Sequence, residues 1–263
     1  MGSALFHLIG NIGDRQMINL AIIPSMVLFF VVWYGDKVEK EPPKLLAKLF
    51  GLGCLSTISA VILGLLGEFA AGLVFEQESM IYLAVDNFIL TALIEEGGKY
   101  FFLKVGTWKN KEFNYTFDGV VYAVAVSLGF ATIENILYVL SSGLIGGFFV
   151  AIIRALLSVP GHVMFAVFMG YYYGLAKYAE AEGNMAKCRI NLVKALLVPV
   201  LLHGFFDFCL STGEGIFILL FFLFDICMTV AAVVRFWLFS KGDTAIPVVR
   251  RTDSGESERQ DVQ

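Results

Sequence analysis

Glu95 and Glu96 stand side by side in a predominantly apolar run, Ile81 to Leu103, that is long enough to cross a bilayer. An ionised group near the middle of such a run costs roughly 2.5–3.5 kcal/mol on insertion scales, so it faces a protein interior or a water cavity and serves a function. Two histidines, His162 and His203, lie in later apolar runs. Counting about 1.5 Å per residue from the helix ends expected at the cytoplasmic side, Glu95 lies roughly 14 Å deep and each histidine roughly 18 Å deep. Arg154, Ser158 and His162 recur every four residues on one helical face, as do Pro199, His203 and Asp207. Asp207 is therefore placed to accept from the His203 ring and to fix its tautomer.

A buried glutamate with two imidazoles supports two chemistries. Glutamate can take a proton from water while imidazole orients that water or stabilises the oxyanion at a peptide carbonyl, which is peptide hydrolysis without a cofactor. Alternatively, Glu95, His162 and His203 can hold Zn²⁺ with the fourth position open to water. No His-Glu-x-x-His motif favours the metal, and Ser158 has no Gly-x-Ser-x-Gly turn around it. Each residue also has a plainer reading. Glu95 and Lys99, spaced i, i+4 with the acid first, could neutralise each other, and a histidine in a membrane helix often only bonds to a neighbouring helix. The self-neutralising reading leaves Glu96 unexplained, together with Gly97 and Gly98, which weaken a helix and suit close approach of another backbone. Glu134 and Asn135 either bind substrate or bridge helices. Glu68, Asp86, Asp118 and Asp225 are expected to be structural, and His7 incidental.

The elements that must position these groups are membrane helices. Hydrophobic residues make up 58% of the 263-residue chain and charged residues 16%, with a mean hydropathy of +0.76, which excludes an ordinary soluble domain. Windows of span length give seven candidates: 16–34, 49–74, 80–104, 117–140, 148–174, 190–211 and 215–239. The expected fold is all-α, a polytopic transmembrane bundle of one domain over residues 1–240. Residues 241–263 are expected to be a disordered cytoplasmic tail. Lysines and arginines fall in the first, third and fifth connections (Lys37, Lys40, Lys44, Lys48; Lys109, Lys111; Lys177, Lys187, Arg189) and in the tail, none in the others. That asymmetry puts the N-terminus outside and the C-terminus in the cytoplasm. No cleaved signal peptide or myristoylation site is expected. Cys54, Cys188, Cys209 and Cys227 lack metal spacing and are assigned no role, and Asn114-Tyr115-Thr116, on a connection expected to be cytoplasmic, is not read as a glycosylation acceptor. There is no internal repeat.

Several motifs in order resemble the PrsW family of intramembrane proteases: Asp36-Lys37-Val38-Glu39-Lys40-Glu41-Pro42, Glu95-Glu96-Gly97-Gly98-Lys99, Phe117-Asp118-Gly119 through Gly129-Phe130-Ala131 to Glu134-Asn135, Arg154 followed by His162, and His203-Gly204 with Asp207. The resemblance covers roughly residues 33–210. It implies a glutamic-type protease related to CAAX prenyl endopeptidases, in a bacterial plasma membrane, making the first cut in a membrane-anchored anti-sigma factor during a stress response. The expected partners are that substrate and the lipid bilayer, with no nucleic acid. Glu95, Glu96, His162 and His203 would be catalytic, supported by Lys99, Glu134, Asn135, Arg154 and Asp207. Lys99 follows the first glutamate by four residues, as in the PrsW branch, where the wider superfamily has Arg after five. Ser158 occupies the first position of a Phe-x-x-x-His pattern. The rival readings are a proton-coupled transporter and a non-catalytic scaffold held together by the same polar groups.

Overall fold

The computed structural model describes residues 2–77, 79–251 and 257–260, with side chains from Gln16 to Pro247 except those of 78, 144 and 145. The side chain of His7 and most of the expected tail therefore lie outside the described residues. Among the described residues nine α-helices follow one another: α1 (Gly2–Gly35), α2 (Pro43–Gly72), α3 (Met80–Val85), α4 (Ile94–Thr107), α5 (Asp118–Ser141), α6 (Gly143–Ile153), α7 (Val159–Ala181), α8 (Met185–Ser211) and α9 (Gly215–Lys241). Their starts follow local chemistry. Pro43 opens α2, Ser79 accepts from Tyr82 N at the head of α3, and Asn184 does the same for Lys187 N at α8.

Among the described residues six helices are long and apolar enough to cross a membrane: Gln16–Gly35, Pro43–Gly72, Asp118–Ser141, Gly146–Ala181, Met185–Ser211 and Gly215–Lys241. The remaining expected span, 80–104, is helical but not uniform. A π-helical stretch, Asp86–Leu93, joins α3 to α4, and acidic groups crowd this element. A second π-helical stretch, Arg154–Ser158, joins α6 to α7 just before Pro160. Proline has no N–H to give to the preceding turn and its ring crowds the carbonyl there, and a wider turn accommodates both defects.

The bundle is built around α5, which is buried on every side from Asp118 to Thr132 and packs against α1, α2, α4, α6 and α7. Glycines allow this. A Cβ at Gly53 of α2 would run into the Val126 carbonyl, and one at Gly129 into that of Phe50. On the other flank Gly119 meets Gly170 and Gly174. Without a hydrophobic drive between helices in lipid, such close backbone contact is a main source of association. The outer faces are apolar: Leu65, Leu66 and Phe69 on α2, and Phe222, Ile226 and Val230 on α9, are all exposed, as a lipid-facing surface requires.

Residues after α9 do not leave the body at once. Thr116 N donates to the Thr244 carbonyl and Ile246 N to that of Asn114, and Asp243 accepts from Phe117 N at 2.8 Å. The expected tail thus begins with a docked segment. Farther on, Val248–Arg251 and Ser257–Gln260 pair as antiparallel strands.

Candidate active site

Glu95 and Glu96 occupy the first turn of α4, directly after the π-helical stretch. The extra residue of a π turn shifts everything downstream by about 100° relative to an unbroken helix, so the upstream apolar pattern does not give the phase of Glu95, Glu96 and Lys99. The π-helical stretch also receives α8, because a Cβ at Gly204 would sit 3.0 Å from Phe88 Cα. That approach carries His203 to Glu96. The second π-helical stretch turns Arg154 toward α5 and leads into His162 on α7.

The polar groups form one network across α4, α5, the second π-helical stretch, α7 and α8. Lys99, fully buried, places Nζ 2.7 Å from Glu96 Oε1, 3.4 Å from Glu95 Oε2 and 3.1 Å from His162 Nδ1. Its ammonium also lies 4.0 Å from the Phe130 ring centroid. Since Lys99 can only donate, His162 Nδ1 accepts and Nε2 carries the proton, which it gives to Glu134 Oε2 at 2.8 Å. Arg154 donates to the same Glu134 oxygen at 2.5 Å and to Asn135 Oδ1 at 2.6 Å. His203 lies between two carboxylates, with Nδ1 3.0 Å from Glu96 Oε1 and Nε2 3.0 Å from Asp207 Oδ2, and a doubly protonated ring satisfies both. The two imidazoles are 5.5 Å apart and nearly perpendicular. Phe165 stacks on His203 at 4.7 Å, and Ser127 Oγ donates to the His162 carbonyl.

Glu95 and Glu96 therefore differ in kind. Glu96 is paired with Lys99 and His203 and is sealed from solvent. Glu95 has only the longer Lys99 contact and keeps its side chain 13% exposed. It faces a cavity of about 500 Å³ lined also by Glu134, Arg154, His162, His203 and Asp207. Next to it, a cavity of about 640 Å³ shares Glu95, Glu134 and Tyr138 and reaches Thr57, Ala60 and Gly64 of α2.

The expected residues thus meet, with shifts of partner. The principal mate of Lys99 is Glu96, not Glu95. Glu134 bridges α5 to Arg154 and His162, and Asn135 is buried, with its amide on the Ala21 carbonyl of α1 at 3.4 Å. Gly97 and Gly98 are not the site of a close helix crossing: a Cβ at Gly97 would meet nothing within 4 Å, and one at Gly98 would make only ordinary contact with Ser56 and Ser59 of α2 at 3.7 Å or more. Glu68 and Asp86, expected to be merely structural, line the cavity. Phe130, quoted above only as part of a motif, and Phe165 were assigned no site role, although Phe130 is one turn before Glu134 and Phe165 three residues after His162, spacings that share a helical face.

The same carboxylates and imidazoles form two overlapping groups, Glu95, Glu96, His203 and Glu95, Glu134, His162, each offering atoms within 4.8 Å of one another. Carboxylate oxygen and imidazole nitrogen are zinc donors, and the buried Glu96 Oε2 has no hydrogen-bond partner. The residues present fit such an ion.

A polytopic helical bundle with acids and imidazoles gathered around a cavity inside its membrane-spanning part is an arrangement that suits the intramembrane hydrolases, and comparisons with known proteins select that class. A profile of the family described as "PrsW family intramembrane metalloprotease" matches residues 41–237. The chain is 43% identical to Protease PrsW of Clostridioides difficile over 193 residues, 73% of this chain and 77% of that one. It is 33% identical to Protease PrsW of Oceanobacillus iheyensis over 84% of this chain and 94% of that one, and 31% identical to Protease PrsW of Bacillus subtilis over 74% and 83%. No solved structure matches. The chain belongs to the PrsW family: it is a peptidase and a multi-pass bacterial membrane protein.

Proposed function

We propose that this peptidase hydrolyses a peptide bond of a membrane-anchored protein with Glu95 as general base. One observation carries the reading: a Glu95 oxygen lies within 4.8 Å of a ring nitrogen of His203 and, in the overlapping group, of His162. Two hydrogen bonds of ~2.8 Å meeting at a tetrahedral angle span about 4.6 Å, the reach of one water between the carboxylate and a ring nitrogen, which would share that water with its present partner, Glu96 or Asp207 for His203 and Lys99 or Glu134 for His162. Glu95 takes a proton from that water as its oxygen attacks the carbonyl carbon. His162 and His203 position the water and stabilise the developing oxyanion, and Glu95 returns the proton to the amine as the C–N bond breaks. Glu96 and Lys99 hold His203 and His162 in place, Glu134 and Arg154 fix His162 from the other side, and Asp207 orients His203. The cavity reaching α2 gives an unwound transmembrane segment a route from lipid to Glu95.

The substrate class we infer is an anti-sigma factor, cut first at this site; the support is the motif resemblance set out above. The charge asymmetry supports an N-terminus outside and a C-terminus in the cytoplasm. A second reading is that Glu95, His162 and His203 would hold Zn²⁺, which when bound lowers the pKa of its water to about 7 and polarises the carbonyl; its support is that Glu95 stands in both ligand-like groups, one with His203 and one with His162, and it requires the two rings to draw together and His203 to give up a proton.

The test is cleavage of membrane-anchored candidates by the purified chain in detergent, with and without chelator. Glu95→Gln should abolish cleavage without altering expression or insertion, and normal cleavage by that variant overturns the assignment. Chelator-resistant activity supports the metal-free route. Activity lost to chelator and restored by Zn²⁺ makes Glu95, His162 and His203 ligands.

A further inference from the structure

A second set of acids gathers far from Glu95 in sequence, at the ends of α1, α2 and α5 that carry the lysine-rich connections. Asp36 follows α1, Glu41 precedes α2 and Asp118 begins α5, and all three are buried, at 1%, 2% and 1% exposure. Each offers a carboxylate oxygen within 4.8 Å of the others. Part of their bonding capacity is used. Tyr122 OH donates to Glu41 Oε2 at 2.6 Å, and Asn114 N and Tyr115 N donate to Asp118 Oδ2 at 3.0 and 2.7 Å. Both oxygens of Asp36 are buried with no partner.

Among the described residues no basic side chain pairs with the set. Lys40, the nearest candidate in sequence, turns its ammonium onto the carbonyls of Trp33, Tyr34 and Asp36 at the end of α1. Asp243 adds a fourth acid nearby, already bonded to Thr116 and Phe117. Leaving a buried charge uncompensated is among the costliest arrangements in a fold. Oxygen-only, carboxylate-rich donors suit hard divalent ions.

We propose that Asp36, Glu41 and Asp118 bind a hard divalent cation, Ca²⁺ or Mg²⁺, that ties the α1–α2 connection to the head of α5. The ion would hold α1 and α2 against the central helix and take no part in hydrolysis.

Thermal unfolding of the full chain in detergent, stripped with chelator and then titrated with CaCl₂ or MgCl₂, tests this. A saturable rise of about 5–10 °C at a hundredfold excess over the dissociation constant is expected, larger for whichever ion the site prefers. Asp36→Asn should lose the rise and Glu95→Gln should keep it. NaCl of equal ionic strength reproducing the rise overturns the proposal, as does a rise that persists in Asp36→Asn or disappears in Glu95→Gln. If Asp36→Asn cannot be purified, Tb³⁺ emission sensitised by Tyr122 in Glu95→Gln decides: emission displaced by Ca²⁺ supports the site, and its absence overturns it.

Discussion

The intramembrane cluster and the cluster at the helix ends hold similar acids under opposite rules. Around the cavity, Glu95, Glu96, Glu134 and Asp207 are interleaved with Lys99, Arg154 and His203, so that buried charges there have opposite partners a few ångströms away. At the helix ends, Asp36, Glu41 and Asp118 stand together with no basic partner among the described residues. The physical difference is access. A charge carried into hydrocarbon has no ions or bulk water to draw on, so its counter-charge must be covalently part of the fold. A site at the bilayer edge can take its counter-charge from solution. Within the balanced cluster one group, Glu95, is paired loosely and reaches the cavity, and this is the group free to accept a proton.

The largest expected effect separates chemistry from architecture. Glu95→Gln should lower the cleavage rate about 10²–10⁴-fold, the usual range for loss of a general base, with an unchanged melting temperature. Loss of folding instead would mean that Glu95 belongs to the structural balance like Glu96. Lys99→Met should destabilise the chain by about 3 kcal/mol, because it removes the nearer of two partners from the sealed Glu96 carboxylate and leaves only His203. Unfolding in denaturant that leaves the midpoint unmoved would refute the balanced-charge account. Asp207→Asn, which weakens the orientation of His203, should cost about 10–100-fold in activity with little change in stability. Tyr122→Phe at the other cluster removes one hydrogen bond to Glu41 and should cost about 1 kcal/mol. Smallest of all, Asp36→Asn in chelator should be neutral or slightly stabilising, since it removes a charge from an unbalanced set. A large destabilisation there would erase the contrast between the two clusters.

Much of this was legible in the chain, for specific reasons. Lipid forces every spanning segment to be helical and apolar, so the bundle follows from hydropathy and the polar exceptions mark the site. His162 and His203 were expected at equal depth, and their rings meet at 5.5 Å. The Asp207 contact followed from i, i+4 spacing, which helix geometry fixes locally. The partner of Lys99 did not follow. Glu95 at i−4 and Glu96 at i−3 are both within reach on an ideal helix, and the choice depends on the π-helical stretch upstream and on α8 supplying His203 to Glu96. The aromatic floor of Phe130 and Phe165 was missed because 25 phenylalanines in the chain make any one of them uninformative.

By itself, then, the sequence determined that helices are apolar and long enough to cross a membrane, which residues are too costly to bury without purpose, and which of them share a helical face, because those properties depend on the solvent and on periodicity within one segment. Tertiary structure decided which acid is neutralised and which is left to work, and it gathered Asp36, Glu41 and Asp118 from two distant parts of the chain. Both outcomes depend on distances between different helices, and glycine-mediated crossings and π turns set those distances without leaving a mark in composition.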